Sequence, residues 1–429
     1  MTHAHDPYVA LRNPLVRAFG LGRAVAVLGV QATSVAVGWQ LYERTHNAWA
    51  LGLVGAVELA PVLALMFVAG NAADRYPRRN IVMASHLVLA GALIGLLAVS
   101  WADAPVAAIY GCLLFIGVAR AFSAPASGTI LPQLLPAEHL ANANAWMSSA
   151  YELAAISGPA MGGVLIAVTG TASWVYSLGA ICQLAFVASL LRLPALAPKP
   201  SREHHDSREL FGGIDFIRRH PVYLAAITLD LFAVLLGGAV ALLPIFAKDI
   251  LHAGPIGLGM LRAAPAAGAM VMALAVTRLK PWRAPGRILL IVVAGFGVAT
   301  IGFGLSHALW LSLLCLFFTG AFDAVSVVIR LTLEQVITPD ALRGRVSAIN
   351  FVFIGFSNEL GAFESGATAA LLGPVASVVG GGIGTIVIVA LVVVIWPQLA
   401  RLGPLHTLTP LAAGPLSERA VSEAGHVQE

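Results

Sequence analysis

Gly70-Asn71-Ala72-Ala73-Asp74-Arg75-Tyr76-Pro77-Arg78-Arg79 separates two apolar runs, 50–70 and 80–100. Each run is close to the roughly 20 residues a helix needs to cross a hydrocarbon core about 30 Å thick. Between them Asp74, Arg75, Arg78 and Arg79 stand close together. Arginine-rich connections stay on the cytoplasmic side of a membrane. The stretch therefore reads as the basic turn of a membrane-spanning helical hairpin, and the rest of the chain agrees. Hydrophobic residues make up 59% of the 429 and charged residues 11%, against about 25% charged in ordinary soluble domains. So few charges cannot coat a soluble protein, which excludes a soluble enzyme, a disordered chain and a nucleic-acid-binding domain. The alternation expected of a membrane β-barrel is missing. The expected fold class is an all-α membrane protein.

Hydropathy places about twelve spans: 20–42, 50–70, 80–100, 105–128, 142–168, 172–192, 221–247, 256–277, 286–305, 309–333, 345–372 and 377–397. The widest polar gap, 194–220, reads as a cytoplasmic linker between an N-terminal six-helix bundle, 1–193, and a C-terminal one, 221–400. Residues 401–429 read as a disordered cytoplasmic tail. With the N-terminus inside, the inner segments hold most of the Lys and Arg, and the outer loops hold only Arg44 and Lys248. That bias puts both termini in the cytoplasm and the chain, multi-pass, in a plasma membrane such as the bacterial inner membrane. The halves also resemble each other at an offset of about 203 residues: Pro136 matches Pro339, Gly158 and Gly163 match Gly361 and Gly366, and Ala60-Pro61 matches Ala264-Pro265. A duplicated six-helix unit with its site at mid-membrane is transporter architecture, and an enzyme has no need of it.

The opening stretch resembles the G-x-x-x-D-R-x-x-R-R loop of the major facilitator superfamily, with Pro77 where the family usually has a second Gly. The resemblance implies a conformational latch made of Gly70, Asp74, Arg75, Arg78 and Arg79. The second half has Arg278, Lys280 and Arg283 at the corresponding place and no acid, so a one-sided latch is expected. Gly158-Pro159-Ala160-Met161-Gly162-Gly163 is similar to the G-P-x-x-G-G element of proton-driven efflux branches, with Ala145 and Ala154 where the fuller pattern has Gly. Physically, Pro159 removes a helix hydrogen bond, and Gly158, Gly162 and Gly163 admit a close neighbour. Phe122 to Pro125 and Pro132-Gln133-Leu134-Leu135-Pro136 through Asn142-Ala143 look most like the efflux branch with siderophore exporters and macrolide pumps.

Ionisable residues inside spans are costly and mark function. Glu58 lies mid-span in the second span, Arg120 in the fourth, Glu152 in the fifth, Asp230 in the seventh, Arg262 in the eighth, Asp323 in the tenth and Glu359 in the eleventh. In the family, spans one, four, seven and ten line the cavity, which implies that Arg120, Asp230 and Asp323 reach the aqueous path. Two acids at one depth repel, and binding a proton relieves that. Asp230 and Asp323 are therefore the expected proton-coupling acids, with Glu58 third and Arg120–Glu152 as an organising charge pair. Arg330 and Glu334, near the inner end, read as an inert pair or snorkelling side chains. Gln31, Gln40, Tyr151, Arg262, Phe353 and Glu359 are candidates for the substrate cavity. His3, His5, His204 and His205 read as solvated loop residues.

No phosphate-cradling GxxxxGK[ST] occurs, so ATP is not expected as the direct fuel. Cys112, Cys182 and Cys315 lie in apolar runs without ligand spacing. No cofactor and no metal is expected. The expected partners are a small-molecule substrate, protons and the lipid bilayer, with no nucleic acid, and the resemblance implies a monomer. The sequence thus reads as an exporter of small amphipathic or hydrophobic molecules, drug-like compounds or siderophores, working by proton antiport with alternating access. Two alternatives stay open: a dedicated siderophore exporter, and a non-transporting membrane receptor or assembly protein of the same fold.

Overall fold

The computed structural model describes residues 6, 8–194, 214–278, 282–405 and 408, without the side chains of 340, 341, 348 and 351. Among the described residues there is no strand, and twelve helices are long and apolar enough to cross a membrane. They are α1 (Pro14–Thr45), α2 (Ala48–Arg75), α3 (Arg78–Trp101), α4 (Val106–Ser127), α5 (Ala137–Thr169) and α6 (Ser173–Leu190). Then follow α7 (Pro221–Leu236 and its continuation to Ile250), α8 (Gly254–Val276), α9 (Pro285–Leu305), α10 (Leu309–Ile337), α11 (Asp340–Leu372) and α12 (Pro374–Ile395).

The ends of these helices follow from local chemistry. Asn13 caps α1 by accepting from Leu15 N at 2.9 Å, with Pro14 in the first turn. Asn47 does the same for α2 through Trp49 N. Gly170, at φ 71, closes α5 in the left-handed conformation that glycine adopts without strain. The basic connection is shorter than hydropathy suggests. Helix α2 runs to Arg75 and α3 begins at Arg78, so only Tyr76 and Pro77 join them. The expected seventh span is not one continuous helix either. Its α-helix stops at Leu236, before Gly237-Gly238, and continues as a 3-10 turn (Ala239–Leu242), a short helix (Leu243–Ile245) and a π turn (Phe246–Ile250). Two glycines favour unwinding, and Pro244 brings no N–H to repair it.

The helices form two compact units, α1–α6 with Leu243–Ala266, and Pro221–Leu242 with the chain from Ala267 onward. In the first, α1 packs on α5 and α6, α3 on α4 and α6, and α2 on α4. In the second, α7 packs on α11 and α12, and α9 on α10 and α12. There α8 meets α10 so closely that a Cβ on Gly268 would strike the backbone of Phe317. Every pairing of the first unit recurs six helices later, which is the internal duplication in structural form. Phe19, Val82, Ile130 and Phe186 centre one core, and Tyr223, Leu289, Ile329 and Leu333 the other. Leu21, Phe67, Phe115, Ile291 and Leu371 are exposed, an apolar skin suited to lipid. Trp101, Trp174 and Trp310, also exposed, stand at helix ends, where indoles anchor to the membrane–water boundary.

Candidate functional site

In the second unit, Asp230 of α7 pairs through Oδ2 with Nη1 of Arg330 from α10, their side chains 9% and 6% exposed. Arg330 also donates from Nε to Ser326 Oγ at 3.2 Å. Asp230, Ser326 and Asp323 line one small, partly open crevice together with Val292, Val293 and Phe296 of α9 and Phe322. Among the described residues Asp323 makes no hydrogen bond or ion pair. The group therefore sets two carboxylates against one guanidinium in an apolar enclosure. Charge there is expensive, and a single proton brings the sum to zero.

One turn beyond Arg330, Glu334 is 3% exposed. Its Oε2 accepts from Tyr223 OH of α7 and from Asn350 Nδ2 of α11, each at 2.8 Å, and its Oε1 accepts from Ser347 Oγ of α11. The sequence reading set Arg330 and Glu334 aside. The signal was there in the spacing: Asp323, Ser326, Arg330 and Glu334 recur at three, four and four residues, a polar stripe on one face of an apolar helix.

In the first unit, Arg120 Nη1 of α4 binds Glu58 Oε2 of α2 at 2.5 Å, with 46% and 17% of the side chains exposed. The helices meet closely here, since a Cβ on Gly117 would lie 2.6 Å from the Glu58 carbonyl oxygen. Arg120 thus bonds the acid of α2. Glu152, its expected partner, belongs to the same charged group, because Arg23, Arg120 and Glu152 all lie within electrostatic reach of Tyr151.

The glycines of α5 are spent on backbone contacts. A Cβ on Gly158 would come within 2.8 Å of Leu28 O, and one on Gly162 within 2.8 Å of Ala32 O, both on α1. A Cβ on Gly163 would lie 3.1 Å from Gly259 Cα of α8. Pro159, inside the helix, is buried. Gly361, the repeat-mate of Gly158, meets the Val234 and Leu235 carbonyls of α7 at 2.9 Å in the same sense.

The remaining expected residues divide. Tyr151 and Phe353 are 49% and 40% exposed, while Gln31, Arg262 and Glu359 are half-buried. Gln40 does not face a cavity. It is buried, donates to Ser100 Oγ at 2.8 Å and accepts from Tyr176 OH at 2.7 Å, so its amide is committed to joining α1, α3 and α6. Of the latch residues, Gly70 and Asp74 are half-buried near the end of α2 and Arg75 is exposed. Arg79 donates to Leu193 O at 2.6 Å, and the Arg78 Nε is buried without a hydrogen-bond partner among the described residues. Most of the expected linker and tail, with His3, His5, His204 and His205, lies outside the described residues.

The sequence pattern of the Major Facilitator Superfamily matches residues 19–362. The chain belongs to the major facilitator superfamily. It is 29% identical over 390 residues to the enterobactin exporter EntS of Citrobacter koseri, covering 91% of this chain and 93% of that protein. The enterobactin exporter of Shigella boydii serotype 18 matches with the same identity and coverage. Among solved structures, a POT family transporter in complex with 5-aminolevulinic acid superposes with TM-score 0.73 at 12% identity, covering 90% of this chain and 96% of the other. A bacterial homolog of the human lysosomal transporter Spinster, inward-facing and unoccupied, gives 0.69 at 13% identity, covering 93% and 98%. These likenesses establish the superfamily fold. With the twelve apolar helices, they make the chain a multi-pass membrane protein of a transporter family.

Proposed function

We propose that the chain is a secondary transporter that exports small amphipathic molecules, siderophores among them, in exchange for protons by alternating access. The observation that carries this reading is the buried Asp230–Arg330 pair with Asp323 in the same crevice. In that enclosure one proton converts a net negative group into a neutral one, so protonation and local structure are tied together. A proton moving down 100 mV supplies about 2.3 kcal/mol, enough at one proton per molecule to concentrate a neutral substrate about 50-fold. Asp230 and Asp323 are the coupling acids, Arg330 the counter-charge of Asp230, and Glu58 with Arg120 a third, more open pair. The siderophore reading leans on the enterobactin exporters that align with 91% of the chain at 29% identity. The Lys/Arg bias supports an inner-membrane location with both termini cytoplasmic. Asp74 and its arginines act as the latch, so Asp74→Asn slows transport.

The test uses everted vesicles carrying the full chain. Energised vesicles should accumulate enterobactin or a lipophilic dye, and addition of either should release protons. Full proton-coupled flux in both Asp230→Asn and Asp323→Asn contradicts the assignment. Unaltered siderophore secretion and drug sensitivity in a deletion strain contradicts the export reading.

A further inference from the structure

The polar stripe of α10 places a second carboxylate within reach of the arginine that holds Asp230. Arg330 and Glu334 are four residues apart, neighbours on a helix surface about 5–6 Å from each other. Tyr223 and Asp230 are seven apart on α7, two turns along one face. Two rungs therefore join α7 to α10: Asp230 to Arg330 and Tyr223 to Glu334. The second rung also takes in α11 through Ser347 and Asn350. Three donors aim at Glu334.

A guanidinium this deep cannot stand unpaired at low cost. If a proton neutralises Asp230, Arg330 needs another anion. Glu334 is one turn further along α10, on the other side of Arg330 from Ser326, and Asp323, which lines the crevice with Asp230, is the competing seat that the first cycle below distinguishes. We propose that Glu334 is the second seat of Arg330. On protonation of Asp230 the guanidinium turns to Glu334, which then gives up Tyr223, Ser347 and Asn350. A proton taken at Asp230 Oδ would thereby loosen the grip of α10 on α7 and α11 about 10 Å further along α7. Nothing covalent changes; one proton is bound and one ion pair changes partner. The inference rests on the proton-coupling reading above.

Two measurements on the full chain test it. The first is a stability cycle. Asp230→Asn and Glu334→Gln each leave Arg330 one seat, and the double variant removes both. Its loss of thermal stability should exceed the sum of the single losses by about 5 °C or more, whereas Asp230→Asn with Asp323→Asn should be additive. Additivity in the first cycle, or the excess appearing in the second, overturns the proposal. The second is cysteine labelling and needs no double carboxylate variant. Cys112, Cys182 and Cys315 are replaced by Ala, and Ile349→Cys, buried on α11, reports release of that end. Asp230→Asn should raise its labelling by a water-soluble maleimide about 5-fold or more, and adding Arg330→Met should restore the parental rate. Parental labelling in Asp230→Asn, or equally fast labelling with Arg330→Met, contradicts it. Substrate-linked proton release keeps the two readings apart. If Asp230→Asn still releases protons, the coupling assignment falls; if release is lost but labelling stays parental, only the role of Glu334 falls.

Discussion

In the first unit Arg120 of α4 holds Glu58 of α2 with nearly half the arginine side chain exposed, while in the second Arg330 of α10 holds Asp230 of α7 with 6% and 9% of the side chains exposed. Both join an acid to an arginine across neighbouring helices, yet their physics differs. An exposed pair contributes about 0.2–1 kcal/mol, and the Arg120 side of this one is nearly half exposed. Removing one partner of a dry pair costs about 3–5 kcal/mol, because the other charge is left stranded. In the dry pair a proton changes the balance most, and a further acid, Asp323, lines the same crevice as Asp230. On the proposed reading, this difference is why proton sensing is placed in the second unit, with a modulating role for the first pair.

The largest effect should come from Arg330→Met. Losing the guanidinium that pairs with Asp230 should cost about 3–5 kcal/mol of stability in thermal unfolding and abolish substrate-linked proton release. Gly162→Val comes next, since its side chain would press on the Ala32 backbone. We expect about 1–3 kcal/mol of overpacking cost with slowed transport, and unchanged transport would show that α1 and α5 have slack. Asp323→Asn should cut substrate-linked proton release about 10-fold or more while leaving thermal stability equal or raised, because a half-buried carboxylate with no ion pair among the described residues disappears. A large stability loss there would mean that Asp323 has a structural partner. The smallest effect is expected from Glu58→Gln, within about 1 kcal/mol in unfolding and with proton release retained. Loss of proton release in Glu58→Gln would invert the comparison.

The fold was legible because membrane helices advertise themselves by length and apolarity, and arginine placement orders them. The repeat was legible in Gly158 and Gly361, whose glycines meet the neighbouring helix in the same way in each unit. The break in α7 was not, because Gly237-Gly238 sits inside a run of unbroken hydropathy. Asp230 and Asp323 stood out in the sequence because an acid in an apolar span has few innocent explanations. Arg330 and Glu334 were discounted for lying nearer a helix end, where long side chains can reach water. Their burial depends on what α7 and α11 bring to them, which no local pattern in α10 records. Gln40 erred in the other direction: a polar residue in a span suggested a cavity, but its partners Ser100 and Tyr176 come from helices far away in sequence.

Infrared difference spectroscopy across a pH jump, on the purified full chain, reads carboxyl protonation directly. The expected result is a protonated-carboxyl band that is lost in the Asp230→Asn, Asp323→Asn double variant and kept in Glu58→Gln. A band that survives the double variant but vanishes in Glu58→Gln would place the titrating group in the exposed pair and contradict the account.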